Sequence, residues 1–143
     1  MNELIDFLGN LDYFRGKFDI GVSVHACGVA TDLVINMCIQ NKADFVSCPC
    51  CYGSLQENHI LSYPRSQYFK NENIGFEDYL VIGHTADQTH VTNDKHEQGE
   101  LGMNIIDTDR IHYTKENGYS DVKLVKLEPT SCTPKNNVII AKY

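Results

Sequence analysis

Two short clusters hold four of the six cysteines of this chain and a histidine beside them: His25-Ala26-Cys27-Gly28 and Cys48-Pro49-Cys50-Cys51-Tyr52-Gly53. An imidazole at His25 offers a proton acceptor near neutral pH, a cofactor contact or a metal ligand; its plainer use is a structural hydrogen bond to backbone. The thiols of Cys27, Cys48, Cys50 and Cys51 offer zinc thiolates together with His25, or a nucleophile with His25 as its base. Small buried apolar groups are the plainer use of cysteine. The C-x-C-C spacing is not the paired C-x2-C of a structural zinc site, so the spacing argues against a metal centre. Tyr52 and Pro49 suit the wall of a flat slot, although a turn calls for Pro and Gly in any case.

Other polar groups signal less. His84, His90 and His96 recur every six residues in a polar stretch, which matches neither a helix face nor a ligand spacing and predicts a solvated loop. Asp107-Thr108-Asp109-Arg110 reads either as a substrate contact or as a solvated helix face with Arg110 paired to a local carboxylate. Arg65 and Lys70, in a Tyr/Pro-rich segment, read either as a hold on an anionic substrate or as a plain surface loop.

The elements that must position these groups follow from periodicity. Residues 19–25, 44–48 and 137–143 are short apolar runs that predict strands, and 122–127, partly alternating, predicts a strand nearer an edge. Residues 3–8 form a weaker fifth candidate. Between the first two lies a helix: Gly28 permits a tight turn, Thr31 can cap, and Asp32 suits the positive end of the dipole. Ala30, Val34, Met37 and Cys38 fall at the spacing of one buried face. A strand, a glycine turn, a helix and a strand imply parallel pairing. Residues 102–117 predict a second helix stopped by Gly118. The last two strands, joined by a loop with Pro129 and Pro134, fit an antiparallel hairpin. The whole reads as a doubly wound α/β sheet with one reversed edge region. Ligands in such sheets bind beyond the carboxyl ends of the strands, where both reactive clusters stand. Cys27 and Cys50 are therefore expected side by side, at the ends of adjacent parallel strands.

Composition narrows the classes. The chain has 143 residues, 42% of them hydrophobic, which suits one domain with a real core. Its net charge is −7 and its basic residues are scattered, which excludes an autonomous nucleic-acid binder. No run of about 18 apolar residues predicts a membrane span, and the start lacks the pattern of a secretory signal. Crowded cysteines argue against a secreted disulfide scaffold, so a cytoplasmic protein is expected.

The run Val24-His25-Ala26-Cys27-Gly28-Val29-Ala30-Thr31-Asp32, followed by Cys48-Pro49-Cys50-Cys51-Tyr52-Gly53, closely resembles the methyltransferase-like domain of the glutathione S-transferase C-terminal domain-containing protein family. Tyr63-Pro64-Arg65-Ser66, Ala86-Asp87-Gln88-Thr89 and Pro134-Lys135-Asn136-Asn137 extend the likeness over nearly the whole chain. A more distant similarity is to tRNA 2′-O-methyltransferases with a His-x-Cys-Gly-x-x-Thr-Asp motif and a Cys-Cys-His motif. Val24 stands here where those enzymes have Lys, and Tyr52 where they have His, so tRNA is not carried over as substrate.

The resemblance implies a partial Rossmann-like class I methyltransferase sheet, α/β, with residues 3–8, 19–24 and 44–48 as strands three to five. The antiparallel C-terminal hairpin supplies strands six and seven. Residues 1–143 would form a single partial domain, from a truncated or degenerate copy, lacking the first two strands and the glycine-rich cofactor loop. The implied activity is S-adenosylmethionine-dependent methyl transfer to an unspecified acceptor. Asn10 and Leu11 would border the adenine of S-adenosylmethionine, and His25, Ala26 and Cys27 its methyl-bearing end. Cys50, Cys51 and Tyr52 would line the acceptor pocket, with His25 as base. Alone, the chain is expected to bind the cofactor weakly or not at all, to reach RNA only with additional domains, and to self-associate through an exposed strand four. A non-catalytic interaction module and a small zinc- or thiol-binding module are the alternatives.

Overall fold

The structure, a computed structural model, describes residues 15–89 and 94–143. Among these residues four strands and four α-helices follow one another as β1 (Ile20–Val24), α1 (Val29–Asn41), β2 (Asp44–Cys48), α2 (Gln67–Asn71), α3 (Phe76–Ala86), α4 (His96–Glu116), β3 (Asp121–Lys126) and β4 (Asn137–Lys142), with a 3-10 turn over Thr130–Cys132 before β4. The sheet order is β1-β2-β4-β3. β1 and β2 run parallel, with Gly21 opposite Phe45 and Ser23 opposite Ser47. β4 is antiparallel to both of its neighbours, pairing Ser47 with Ile139 and Leu124 with Ile139 on either side. This mixed α/β sheet is compatible with a methyltransferase-like fold. All four strands anticipated from residue 19 onward form, and the closing hairpin is antiparallel. The candidate strand at 3–8 lies outside the described residues.

Alternation decides which face of the sheet is covered. Phe45, Ile139, Ala141 and Val122 point to one face and pack against Ile35 and Cys38 of α1, with Ile111 and Tyr113 of α4 alongside. The opposite face carries Val22, Val46 and Ile140, all exposed. Among the described residues the helices thus cover one side of the sheet, which corrects the doubly wound expectation.

The second helix starts earlier than anticipated. Its 21 residues begin at His96, and Gly118, at φ 97°, ends it. α2 and α3 were not anticipated, because their short, mixed sequences carry no sustained period. Ser66 caps α2, its hydroxyl accepting the Phe69 N–H at 3.2 Å. α3 lies against α4 around a second core of Tyr52, Leu61, Tyr63, Tyr79, Met103 and Ile106. His84 therefore sits on α3 and His96 at the start of α4, not in one solvated loop; His90 lies outside the described residues.

The covered face of α1 is only in part the anticipated one. Thr31, Asp32, Ile35, Asn36 and Cys38 are buried, while Ala30, Val34 and Met37 are only partly so. Polar groups face inward because a buried charge network meets them. Arg110 donates to Asp32 through Nε (3.0 Å) and Nη2 (2.9 Å), and to Asp107 through Nη1 (3.0 Å). Tyr63 donates to Asp32 at 2.9 Å, and Tyr52 and Asn137 donate to Asp107 at 2.8 and 2.7 Å. Asp109 accepts from the Arg65 and Ser66 amides, the Ser66 hydroxyl and the Tyr79 hydroxyl. Buried charges persist only when so paired. Two expectations are corrected here: Asp107–Arg110 is a buried helix face, and Arg65, bonded to Asn36 and lying over the Tyr113 ring, is not on a surface loop. Lys70 is exposed, as a plain surface residue would be.

Candidate functional site

Both reactive clusters lie at the carboxyl ends of β1 and β2, and the parallel pairing of those strands brings them into contact. Cys27 Sγ is 3.0 Å from Cys50 Sγ and 3.2 Å from Cys51 Sγ, and Cys50 and Cys51 Sγ are 3.6 Å apart. The side-by-side placement of Cys27 and Cys50 is the one expected from the strand–helix–strand pattern.

Several bonds hold the two loops together. His25 N–H donates to the Cys48 carbonyl and Gly28 N–H to the Cys51 carbonyl, each at 3.3 Å. Thr31 donates its hydroxyl to the Ala26 carbonyl at 2.6 Å, fastening the first loop to α1. Gly28 sits at φ 55° and ψ −127°, where side chains are strained, and an added Cβ would meet the Ser54 carbonyl oxygen at 2.4 Å. Asp87, at the end of α3, accepts the Tyr52 and Gly53 amide N–H groups at 3.0 and 2.8 Å and pairs with Lys135 at 3.0 Å. Partial burial alone would raise the Asp87 carboxyl, but those two amides and Lys135 hold it below its usual value.

The thiols differ by position. Cys27 is exposed, and the hydrogen bonds it receives from Cys50 and then Cys51 lower its pKa. Burial, followed by its bond to Cys27, pushes Cys50 up to about 12, and the bond to Cys27 raises Cys51. Cys38, fully buried against the sheet, is pushed up to about 12 by burial alone and is an apolar core residue. Cys48 stands apart from the three, directing its thiol to the Lys135 carbonyl at 3.8 Å.

The residues expected to act divide into four groups. His25 is exposed, at φ 58°, and with half-buried Ala26 and exposed Cys27 it forms one rim of the site, on the loop after β1. Cys50 and Cys51, half-buried on the loop after β2, form the adjoining rim, in contact with Cys27. Tyr52 is corrected: it is fully buried beneath the loop, with its hydroxyl on Asp107, and does not line an open pocket. Burial raises its phenol well above the usual value, so it stays a neutral donor. Asn10 and Leu11 lie outside the described residues. Asp87 and Lys135 were missed as supports of the site; both stood in sequence runs singled out above, but nothing local tied them to residues 52 and 53.

This geometry is compatible with a methyltransferase-like domain, and a family described as a methyltransferase domain matches residues 14–58, the span that holds both clusters. The relatives sharpen this. A glutathione S-transferase C-terminal domain-containing protein homolog of Drosophila pseudoobscura pseudoobscura is 51% identical over 140 residues, covering 94% of this chain and 24% of that protein. The homolog of Drosophila melanogaster is 49% identical over the same shares. The Homo sapiens glutathione S-transferase C-terminal domain-containing protein is 44% identical over 133 residues, 92% of this chain and 21% of its own length. Over nearly all of its length this chain is closely similar to one segment of those proteins, and it spans about a quarter of their length or less. No solved structure matches it. No helix among the described residues is long and apolar enough to cross a membrane.

Proposed function

We propose that the chain is the acceptor-side part of an S-adenosylmethionine-dependent methyltransferase domain, with β1, β2, β3 and β4 as strands four to seven of a class I sheet. The observation that carries this reading is the meeting of the His25–Gly28 and Cys50–Gly53 segments at the ends of adjacent parallel strands, inside the span matched by the methyltransferase family. The order β1-β2-β4-β3 supports it, because strands four, five, seven and six neighbour one another in that order in the class I fold.

The rim fits one end of the cofactor. His25 and Cys27 are polarisable groups open to solvent and Ala26 is small and half-buried, a set suited to the methyl-bearing sulfonium, while the segment holds no carboxylate for the ribose hydroxyls. When bound, the cofactor supplies an electrophilic methyl group. The role of this chain is to hold the acceptor in line with that methyl on the outer side of the joined Cys27, Cys50 and Cys51 loops, and at His25 to take the acceptor's proton. Tyr52 and Asp87 act from beneath, fixing the backbone that carries Cys50 and Cys51.

The test is an amide-resolved NMR titration of the isolated chain with S-adenosylhomocysteine. Weak binding is expected, with a Kd of about 1 mM or above, worth about −4 kcal/mol or less. Its shift changes should centre on the amides of Ala26, Cys27 and Gly28. Saturable changes centred on amides away from that rim would overturn the reading.

A further inference from the structure

We infer that Cys27, Cys50 and Cys51 form a three-thiolate site for a soft divalent ion of the zinc type, with its fourth coordination position open to solvent beside Cys27. This inference stands on the thiol geometry and does not depend on the methyl-transfer reading. The three Sγ atoms lie within 4.8 Å of one another, and they form such a group among the described residues without His25 or Cys48. A tetrahedral ion with metal–sulfur bonds of about 2.3 Å places its sulfurs about 3.8 Å apart. The present edges of 3.0, 3.2 and 3.6 Å reach that spacing with shifts of a few tenths of an ångström to under an ångström.

The plainer use of clustered cysteines, as small apolar filling, does not suit this trio. Cys38 shows what that use looks like, at 0% exposure and packed in the sheet core, whereas Cys27 is exposed. The supporting shell is that of a held site. The two loops are joined through His25 to Cys48 and Gly28 to Cys51, the first is fastened by Thr31, and the second is fastened through Tyr52 and Gly53 to Asp87. Such second-shell bonds fix ligand positions before an ion arrives. The C-x-C-C spacing argued against a metal because it counts ligands along one segment; the third thiol comes from the neighbouring strand's loop.

Cobalt titration of the fully reduced chain under anaerobic conditions tests this. One equivalent of Co2+ should produce sulfur-to-cobalt charge transfer in the near ultraviolet and the intense visible bands of a tetrahedral site, and Zn2+ should bleach both. Cys27→Ser, at an exposed position where folding is least affected, should abolish the charge-transfer band while the far-ultraviolet dichroism stays unchanged. Cys50→Ser and Cys51→Ser should do the same, and Cys132→Ser should keep the spectrum. A reduced, folded protein that shows no thiolate band at excess Co2+, or a band that survives Cys27→Ser, overturns the inference. Either result leaves the S-adenosylhomocysteine titration unaffected.

Discussion

Replacing Asp32 by Ala should cost this fold about 3–5 kcal/mol, the range for removing one partner of a buried ion pair. Asp32 is 1% exposed and receives three donors: Arg110 Nε, Arg110 Nη2 and the Tyr63 hydroxyl. Without it the Arg110 guanidinium, itself 1% exposed, keeps one carboxylate, Asp107, and leaves two N–H groups without an acceptor; the Tyr63 hydroxyl loses its acceptor too. A loss of that size lowers Tm by roughly 10–20 °C in a domain of this length. The exposed pair of Lys123 and Asp121 is the internal control, since Asp121→Ala should change stability by less than about 1 kcal/mol. Substituting Asp32→Leu together with Arg110→Met should recover most of the loss, because apolar replacement of a whole buried pair is often neutral. Asp107 would then keep Tyr52 and Asn137, and its carboxyl, already raised by burial, can take up a proton. Urea unfolding of the four proteins measures all of this. A cost for Asp32→Ala no larger than that of Asp121→Ala would refute the claim that this network holds α1, α4 and the loop of Tyr63 together.

Two further outcomes follow from the site and the sheet. Because the folded Asp87 carboxyl lies below its usual value of 3.8, its stabilising effect is complete above about pH 4 and is lost as the pH falls through the lower folded value. The stability gap between the parent chain and Asp87→Asn should therefore be widest near neutrality and shrink below pH 4, and a gap constant in pH would contradict this assignment. The apolar residues Ile20, Val22 and Val24 of β1 are 63%, 68% and 64% exposed. Sedimentation velocity of the isolated chain should show self-association that Val22→Lys reduces, and a monodisperse parent monomer at all concentrations would count against docking through this strand.

Local pattern was enough to place β1, β2, β3, β4 and α1, and to bring Cys27 beside Cys50, because strand period and the parallel crossover act over a few residues. The likeness to a methyltransferase-like domain was equally legible, carried by motif residues close in sequence. What those motif residues do was decided by tertiary contacts. Thr31 and Asp32 look from sequence like a helix cap and a dipole partner, yet one fastens the Ala26 carbonyl and the other pairs with Arg110, 78 residues away. Tyr52 looks like the wall of a slot, yet its ring is buried and its hydroxyl reaches Asp107. Polar side chains have no period that marks them as inward-facing. A charge is buried only where a partner from another element arrives to meet it, and that arrival is a property of the packed fold.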